Sequence, residues 1–424
     1  MYRDKKKILV ASILGNALEF YDFTLYGFFT CIIANRYFPG VSDTARILAS
    51  LAAFGAGFLT RPFGGMVFGY IGDRYGRKVA LSSSVLLMGV PTMIIGLLPG
   101  YEKIGLLASV IIFLCRLLQG LCTGGEYNGA AIFSIEHIGK RMPGFIGGCI
   151  AGSCAIGAFC ASFLGSLSQK PGMPEWSWRV PFLIGGLISL FGYFMRRKLT
   201  ETPEFMKLLE RKRPKASLFS TFVNQPGACV MTVTLGSFNG ALSYTLVSFM
   251  TIYLSKYLQI PLVKALQFNL VGLIGFMIGS PLLGAIFDRL GAKVFYRGFS
   301  FAVFVLAIPA FMAINSLNGG LILLGELFIG IAAGGIAGSG HAFMQSLFPA
   351  KDRYLGISFN FSVGMALLGS LTPIIYIQMF EKYQMSLLFP AYFLMAFAAL
   401  FIAVLTGLYA SKRDRLQSLF EVRE

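Results

Sequence analysis

The sequence predicts an all-α membrane protein in which twelve transmembrane helices form two pseudo-symmetric six-helix bundles. Of its 424 residues, 56% are hydrophobic and only 13% are charged, whereas soluble domains usually carry roughly 25% charged residues. The apolar residues form blocks of about twenty or more, which is long enough to cross a bilayer core of about 30 Å. Short motifs recur at a nearly constant offset, and this repetition divides the chain into two similar halves.

The spans follow from the apolar blocks in chain order. The first block begins after the basic run Lys5–Lys7; unlike a signal peptide it is long, contains acids and offers no clear cleavage site, so we expect it to remain as span one. The links between later blocks are short and polar, except for a charged link after the sixth block. The predicted spans lie near residues 8–34, 47–71, 79–99, 104–133, 144–168, 180–198, 226–255, 265–287, 297–315, 319–346, 354–380 and 386–410.

Twelve spans place both termini on the same side of the membrane, and the basic residues test this parity. Of the 36 Lys and Arg residues, 26 fall in segments assigned to the inside, 8 in segments assigned to the outside, and Arg61 and Arg116 within spans. Cytoplasmic loops carry the excess of Lys and Arg in membrane proteins. We therefore expect a monomeric, multi-pass protein of the bacterial cytoplasmic (inner) membrane, with both termini cytoplasmic.

The repeat sets the predicted domain boundaries. The segment "GYIGDRYGRK" (69–78) returns as "GAIFDRLGAK" (284–293), and "TLYGFFT" (24–30) returns as "TLVSFMT" (245–251), at offsets of 215 and 221. Each half holds an even number of spans, so the halves are parallel repeats, an arrangement typical of transporters with the substrate site between the repeats. The predicted domains are an N-terminal bundle (1–198), a cytoplasmic linker (199–225), a C-terminal bundle (226–410) and a short cytoplasmic tail (411–424).

Composition argues against several other classes of protein. The net charge of +17 comes from clusters between apolar blocks and not from one basic face, so we expect no nucleic-acid partner. Two histidines, and seven cysteines without paired spacing, argue against a zinc site and against a disulfide framework. The sequence shows no nucleophile–base set of the kind a membrane enzyme needs. We therefore expect neither enzymatic activity nor a cofactor or bound metal.

The segment "GYIGDRYGRK" at the end of span two combines glycines with charged residues. Glycines permit a tight turn and close approach of helices, and a carboxylate there can meet a neighbouring helix N-terminus or an arginine. The segment resembles the loop signature of the major facilitator superfamily, which implies the fold of that superfamily. We predict a gating role for this motif, its weaker repeat and one arginine in span two: Gly69, Asp73, Arg74, Gly76, Arg77, Asp288, Arg289 and Arg61.

Four segments in order narrow the resemblance to one branch of that superfamily. They are "GNALEFYDFTLYGFF" (15–29), "RPFGGMVFGYIGDRYGRK" (61–78), "RLLQGLCTGGEYNGAAIFSIEH" (116–137) and "ETPEF" (201–205). Together they look like the metabolite:proton symporter branch, which includes proline/glycine-betaine, α-ketoglutarate, citrate and shikimate carriers. The match is dense in the N-terminal half and rests mainly on architecture in the C-terminal half. It implies that the proton is the coupling ion.

Charged residues inside the spans indicate where coupling takes place. Such groups are costly by at least ~2.5–3.5 kcal/mol each and mark ion or substrate pathways. Six are present: Glu19, Asp22, Arg61, Arg116, Glu126 and Glu326. Five of them belong to the N-terminal half, and the repeat replaces Glu19 and Asp22 by Gly240 and Ser243. We therefore predict proton coupling by Asp22, Glu19 and Glu126 of the N-terminal half, and which acid carries the proton stays open.

The predicted substrate contacts lie mostly on spans one and four. Tyr26 and Phe29 share a broad face of span one with the two acids. Arg116 in span four suits a substrate carboxylate, because a guanidinium binds it bidentately, although a structural pair with Glu126 or Asp22 is an equal alternative. Polar residues nearby and in the C-terminal half complete the predicted set: Gln119, Tyr127, Asn128, Asn239 and Tyr244.

These patterns predict a proton-driven symporter that imports a small carboxylate-bearing metabolite by alternating access. A proline/betaine-type zwitterion is favoured because the site offers both signs of charge, and a di- or tricarboxylate such as α-ketoglutarate or citrate is the alternative. Antiporters and drug exporters of this superfamily commonly carry a Gly-Pro motif in span five. Here span five has no proline after Pro143, which argues against export. The tail (411–424) is too short for the coiled coil of some osmoregulated proline/betaine carriers. The expected partners are the metabolite, H+ and the lipid bilayer.

Overall fold

The structure is a computed structural model that describes residues 2–39, 42–139, 141–210 and 220–411. Within these ranges the chain consists of α-helices, three π-helical segments and connecting turns, with no strand. Three predicted features lie outside the described residues: Lys140 of the link between spans four and five, residues 211–219 of the linker, and residues 412–424 of the tail.

The helices follow the predicted spans closely. The first part of the chain forms α1 (Tyr2–Phe28), α2 (Thr30–Tyr37), α3 (Asp43–Arg74), α4 (Arg77–Leu97), α5 (Tyr101–Ile104), α6 (Leu106–Ile138), α7 (Pro143–Ser168), α8 (Arg179–Arg197), α9 (Pro203–Glu210) and α10 (Ser220–Asn224). The remainder forms α11 (Pro226–Tyr244), π1 (Thr245–Phe249), α12 (Met250–Ile252), π2 (Tyr253–Tyr257), α13 (Leu262–Asn315), α14 (Gly319–Leu347), α15 (Arg353–Gly364), π3 (Met365–Gly369), α16 (Thr372–Glu381) and α17 (Phe389–Ser411).

Twelve membrane spans result from these helices. Within the described ranges, nine helical segments are long and apolar enough to cross a bilayer. One of them, α13, supplies two spans, because Gly291 with φ 74° and ψ 161° interrupts its 54 residues in the middle. The 19-residue α8 and the run from α11 to π2 supply the two remaining spans. The twelve-helix prediction is thereby confirmed.

The described chain folds into two compact units. Unit 1 comprises the described parts of Met1–Ile138, Ser153–Leu218 and Ala350–Phe359. Unit 2 comprises the described parts of Gly139–Gly152, Phe219–Pro349 and Asn360–Glu424. Each unit thus contains most of one sequence half together with a short helical stretch from the other half. The domain boundaries predicted from the repeat stay predictions.

Close packing of α3 on α6 positions the charged residues of unit 1. Lipid is as apolar as a helix surface, so small residues that let backbones touch hold membrane helices together. A Cβ atom on Gly120 would lie 2.0 Å from the carbonyl oxygen of Gly57, and one on Gly124 would lie 2.0 Å from that of Arg61. The two helices therefore meet at backbone distance, and Arg61 and Arg116 lie on neighbouring helices within one unit.

Candidate functional site

A cavity in unit 1 collects most of the charged residues predicted within spans. It encloses about 300 Å³ of empty space, including the part open to solvent. Its lining comes from α1, α3, α4 and α6: Glu19, Asp22, Phe23, Phe54, Gly57, Arg61, Met88, Arg116, Gln119, Gly120 and Thr123. Four of the six in-span charges thus face one space, and they comprise two acids and two arginines.

Asp22 and Arg116 are joined by a chain of hydrogen bonds and not by a direct ion pair. The guanidinium Nη1 of Arg116 donates to Gln119 Oε1 over 2.8 Å, and Gln119 Nε2 donates to the hydroxyl of Thr92 over 2.9 Å. That hydroxyl donates to Asp22 Oδ2 over 2.8 Å. Polar side chains therefore link three helices, α1, α4 and α6. Asp22 and Arg116 interact through this chain of hydrogen bonds.

Glu19 is buried more completely than its position in a cavity would suggest. Its side chain is 2% exposed, and neither carboxylate oxygen has a hydrogen-bond partner among the described residues. The Oδ1 atom of Asp22 also lacks such a partner within the described chain. Carboxylate oxygens that are buried without a partner are expensive unless a proton, an ion or a ligand neutralises them. The cavity thus presents two acids that are suited to take up a proton.

Arg116 is held by aromatic rings instead of carboxylates. Its guanidinium carbon lies 4.4 Å from the ring centre of Tyr26 and 4.8 Å from that of Phe54, and these two rings stack on each other. Arg61 lies 4.5 Å from the ring centre of Phe58. Within the described residues, neither arginine has a carboxylate within 4 Å. Cation–π contacts stabilise such cations while leaving their N–H donors available to an anion.

Glu126, predicted to take part in coupling, pairs with an arginine that the sequence analysis assigned only to topology. Its Oε1 atom lies 2.5 Å from Nη1 of Arg196, at the end of α8. The hydroxyl of Ser84 donates a hydrogen bond to Oε2 of Glu126, and Arg196 donates to the carbonyl of Leu81 over 2.9 Å. The alternative pairing of Arg116 with Glu126 is absent from this structure.

The other predicted contacts of unit 1 lie in varied surroundings. Phe29 packs against Trp178 and Phe182 in a buried aromatic cluster and is not among the cavity-lining residues. Tyr127 meets Phe20 edge to face, and Asn128 is 2% exposed. These three residues do not line the cavity, and their predicted substrate contacts stay predictions.

In unit 2 the predicted polar contacts lie beside π-helical segments, which commonly occur at functional sites. The Nδ2 atom of Asn239 contacts the sulfur of Met365, the first residue of π3, over 3.6 Å. Tyr244 ends α11 directly before π1. Glu326, the sixth in-span charge, is completely buried near Asn269. Substrate binding by Asn239 and Tyr244 stays a prediction.

The motif after span two bridges helices through its carboxylate and its arginine. Asp73 accepts hydrogen bonds from the backbone N–H groups of Tyr354 and Leu355, at 3.1 and 2.9 Å, in the first turn of α15. Arg77 lies 3.2 Å from the same carboxylate. Gly69 permits this contact, because a Cβ atom there would lie 2.6 Å from Cα of Leu355. The expected meeting of a carboxylate with a helix N-terminus and an arginine is thus present.

Three residues to which the sequence analysis gave no role complete this network: Glu136, Glu201 and Arg353. Glu136 lies 3.4 Å from Nε of Arg77 and 2.8 Å from Nη1 of Arg353. Glu201 caps the N-terminus of α4 by accepting hydrogen bonds from the N–H groups of Arg77 and Lys78, both at 3.1 Å. Burial raises the pKa of the Glu201 carboxyl, and these hydrogen bonds oppose that shift. Glu136 and Glu201 both lie in segments that carry the family resemblance, which was the available signal.

The repeated motif makes the same kind of contact in unit 2. Asp288 accepts hydrogen bonds from the N–H groups of Gly144 and Phe145, at 2.7 and 2.9 Å, in the first turn of α7. Arg289 is exposed, whereas Arg74 of the first copy is half-buried and bonds to the hydroxyl of Tyr70. The first copy of the motif therefore caps α15, and the second copy caps α7.

Gly76 has a separate structural reason to be glycine. Its φ of 120° lies in the left-handed region, and a Cβ atom there would lie 2.3 Å from Oε2 of Glu201. The tight turn between α3 and α4 and the capping of α4 by Glu201 therefore both depend on it.

Sequence comparison places these features in a known family. The family model of the Major Facilitator Superfamily matches residues 13–373. The glycine betaine/proline/ectoine/pipecolic acid transporter OusA of Dickeya dadantii is 34% identical over 419 residues, which cover 95% of this chain and 83% of that protein. The proline/betaine transporter of Salmonella typhimurium is 34% identical over 95% of this chain and 83% of its own length. The inner membrane metabolite transport protein YhjE of Escherichia coli is 33% identical over 88% of this chain and 87% of that protein.

Solved structures share the fold at low sequence identity. A proton:xylose symporter, XylE, superposes with a TM-score of 0.75 at 14% identity and covers 96% of both chains. A bacterial homologue of the iron transporter ferroportin gives a TM-score of 0.70, also at 14% identity, and covers 96% of this chain and 100% of its own. The twelve spans and the repeated motif with its two helix caps agree with these comparisons. The matched family model and the transporters that are 33–34% identical over most of this chain show that it is a membrane transporter of the Major Facilitator Superfamily.

Proposed function

We propose that this chain imports a small zwitterion of the proline/betaine type together with protons, by alternating access. The observation that carries the proposal is the cavity in which Arg116 is connected to Asp22 through Gln119 and Thr92. It offers a guanidinium to a substrate carboxylate and an acid to a proton, within one hydrogen-bonded chain. The names of the relatives, which are proline and betaine transporters, support the same substrate class.

In the proposed cycle, protonation of Asp22 or Glu19 precedes substrate binding. The charge of an ionised Asp22 attracts the Thr92 hydroxyl and thereby orients Gln119. Protonation of Asp22 removes this attraction, so Arg116 can turn its donors to a substrate carboxylate. The rings of Tyr26 and Phe54 then attract the substrate's cationic end through cation–π contact. The remaining predicted substrate contacts, which do not belong to the hydrogen-bonded chain from Arg116 to Asp22, are also proposed: Phe29, Tyr127, Asn128, Asn239 and Tyr244.

The two capped helices supply the proposed gate. Opening would require Asp73 to release the N-terminus of α15, and Asp288 to release that of α7, with Arg77 and the other motif residues following: Gly69, Arg74, Gly76 and Arg289. Arg61 lines the cavity and lies on the helix that ends in the motif. This position supports the proposed role of Arg61 in coupling the state of Glu19 to the gate.

A di- or tricarboxylate is the second candidate substrate, and one observation favours it. Arg61 and Arg116 both line the cavity, and within the described chain neither has a carboxylate within 4 Å. Two such cations suit a substrate that carries two carboxylates. The zwitterion is preferred because Glu19 and Asp22 face the same space and would repel a second substrate carboxylate.

Uptake of a labelled panel into proteoliposomes tests the substrate class. The panel contains proline, glycine betaine, α-ketoglutarate and citrate, each with and without an inward proton gradient. We expect gradient-dependent accumulation of the zwitterions. Accumulation of the dicarboxylates alone would replace the substrate assignment, and uptake that ignores the gradient would contradict proton coupling.

Two substitutions test the proposed roles within the cavity. Asp22→Asn and Arg116→Ala should each abolish gradient-driven uptake, because one removes a proton site and the other the carboxylate ligand. Glu102→Gln, on the exposed α5, is the matched control and should transport like the parent. Full accumulation by either cavity variant would remove that residue from the mechanism.

Further parts of the proposal concern setting and partners. We propose residence in the inner membrane with both termini cytoplasmic, action as a monomer, and no cofactor besides the coupled proton. The excess of Lys and Arg in the loops assigned to the inside supports the orientation.

A further inference from the structure

We propose that the buried Glu126–Arg196 pair, with the crevice beside it, forms a proton-release route from Glu19 that is separate from the substrate cavity. The inference rests on the proposed proton-coupled import and names the path by which the proton leaves. The route has three parts: Glu19 at the cavity, the ion pair behind it, and a polar crevice that opens where α4 begins and α8 ends.

Two separate spaces approach α1 within unit 1. One is the cavity, which reaches Glu19. The other is a crevice with about 200 Å³ of empty space, including the part open to solvent. The crevice is lined by Ser12, Lys78, Leu81, Ser82, Phe133, Arg196 and Leu199. Because Lys78 lies in the first turn of α4 and Leu199 is the second residue after the end of α8, the crevice lies at the end of unit 1 that holds Asp73 and Arg77.

Arg196 links the crevice to the buried acid Glu126. Its side chain is buried, contacts Glu126 over 2.5 Å and also lines the crevice. Its guanidinium presses on the backbone of α1, since a Cβ atom on Gly15 would lie 1.7 Å from Nη2. Glu19 follows Gly15 by four residues, which is one helical turn on the same face. A single turn of α1 therefore separates the Arg196 guanidinium from Glu19.

The charges around Glu19 divide between the two spaces. Asp22 and Arg61 act on it from the cavity side, and Glu126 and Arg196 act on it from the ion pair. Three further titratable groups from α6 and α7 are electrostatically coupled to Glu19: Cys122, Tyr127 and Cys154. Of the two cations, only Arg196 lines the crevice.

The release step moves one proton and changes no other bond. The O–H bond of the protonated Glu19 carboxyl breaks, and the proton passes to water that enters the crevice. Arg196 keeps its own proton, because a guanidinium stays charged in proteins, and it stabilises the new carboxylate. Glu126 balances the charge of Arg196 while Glu19 is neutral. A buried ion pair must lose its hydration, so apolar residues in its place are often at least as stable. A role in proton release therefore gives a reason for this pair to be present.

Neutralising both members of the pair separates this role from a structural one. Glu126→Gln combined with Arg196→Gln keeps a polar side chain at both positions and leaves no buried charge uncompensated, so the variant should fold. Arg197→Gln is the matched control, because Arg197 is the exposed neighbour on the same helix. Each protein is purified, reconstituted into liposomes that hold a pH-sensitive dye, and assayed with labelled proline and labelled glycine betaine.

Two assays are compared for each variant. In exchange, with substrate on both sides, the loaded carrier moves in both directions and its proton need not leave. In net uptake, driven by an inward proton gradient, every cycle must release a proton inside. We expect the double variant to retain exchange but to lose net uptake and substrate-linked acidification by about tenfold or more. The control should retain both activities.

Other outcomes overturn the proposal in distinguishable ways. If the double variant retains gradient-driven uptake and proton flux, the release route is wrong while proton coupling stands. If exchange falls as far as net uptake, or the double variant does not fold, the pair is structural and the route is again wrong. If the parent itself moves no protons with substrate, the proposed function and the route both fail.

Discussion

Thr92 is the residue on which the geometry of the cavity most depends. Its hydroxyl accepts a hydrogen bond from Gln119 and donates one to Asp22, so one oxygen joins the acid to the chain that ends at Arg116. The side chain is completely buried. A threonine in an apolar span ordinarily bonds back to its own helix, and Thr92 also lies 3.1 Å from the carbonyl of Met88.

Thr92→Val therefore tests the link between Asp22 and Arg116. Valine has nearly the same shape but removes the hydroxyl, so Asp22 Oδ2 and Gln119 Nε2 each lose this hydrogen bond, while Gln119 Oε1 still accepts from Arg116. Hydrogen bonds to charged groups contribute about 1.5–3 kcal/mol, so we expect kcat/KM for proton-driven uptake to fall by roughly tenfold to a hundredfold. Initial uptake rates in proteoliposomes over a range of substrate concentrations measure the change.

Thr92→Ser is the control for that measurement. Serine keeps the hydroxyl and should keep most of the transport activity. Equal kinetics for Thr92→Val and the parent would show that Asp22 does not depend on this hydrogen bond.

At the scale of helices, the two copies of the repeated motif act as caps. The first backbone N–H groups of a helix have no partner within the helix, and its N-terminus carries a partial positive charge. Asp73 satisfies two such groups in α15, and Asp288 satisfies two in α7. The sequence repeat is thus also a repeat of one physical contact.

Asp73→Ala should destabilise the capped arrangement. Loss of an N-cap carboxylate costs about 0.5–2 kcal/mol, and Arg77 would keep Glu136 as an ionic partner. We expect a lower apparent Tm in detergent together with slower transport, because the gate loses its closing contact. Glu102→Ala, at an exposed acid of α5, is the control. A Tm and a transport rate equal to those of the parent would exclude a capping role for Asp73.

Close contact between α3 and α15 gives a second prediction at the level of helices. Gly69→Ala places a Cβ atom 2.6 Å from Cα of Leu355, so the helices must separate. Gly55→Ala on the same helix meets nothing within 4 Å and serves as the matched control. We expect reduced uptake for Gly69→Ala only, measured at equal membrane expression. Equal losses in both variants would indicate a general effect of alanine in α3.

For the whole molecule, twelve spans and the distribution of basic residues predict one topology. Each unit holds a short stretch from the other sequence half, 350–359 in unit 1 and 139–152 in unit 2. Both stretches include a helix start that is capped by a motif aspartate. In each unit, an aspartate from the second loop of one sequence half thus caps the helix that follows the fourth loop of the other half.

A topology experiment tests the predicted orientation. Alkaline phosphatase fused after Gly100 should be active, because that loop is assigned to the outside. Alkaline phosphatase fused after Gly139 or at the C-terminus should be inactive, because both sites are assigned to the inside. Green fluorescent protein fused at the same two sites should be fluorescent. The reverse pattern would invert the assignment and with it the direction of the proposed import.

Much of the fold could be predicted because its signal is local. An apolar block of membrane length specifies a span by itself, and all twelve spans were found in this way. The candidate cavity was predictable in part: Glu19, Asp22, Arg61 and Arg116 were singled out as charges that lipid makes costly. Thr92, Phe54 and Arg196 were not, since a threonine, a phenylalanine or a terminal arginine is ordinary in a span, and only its neighbours give it a role.

The sequence by itself determined the number of spans, the internal repeat and the acids of the first span, because each depends on residues close together in the chain. Only the tertiary structure decided which charges share a cavity and which are paired. Glu126 meets Arg196 rather than Arg116, and Asp22 meets Thr92, 70 residues away. Electrostatic and hydrogen-bond energies depend on distances of a few ångströms. The packing of helices far apart in sequence sets those distances.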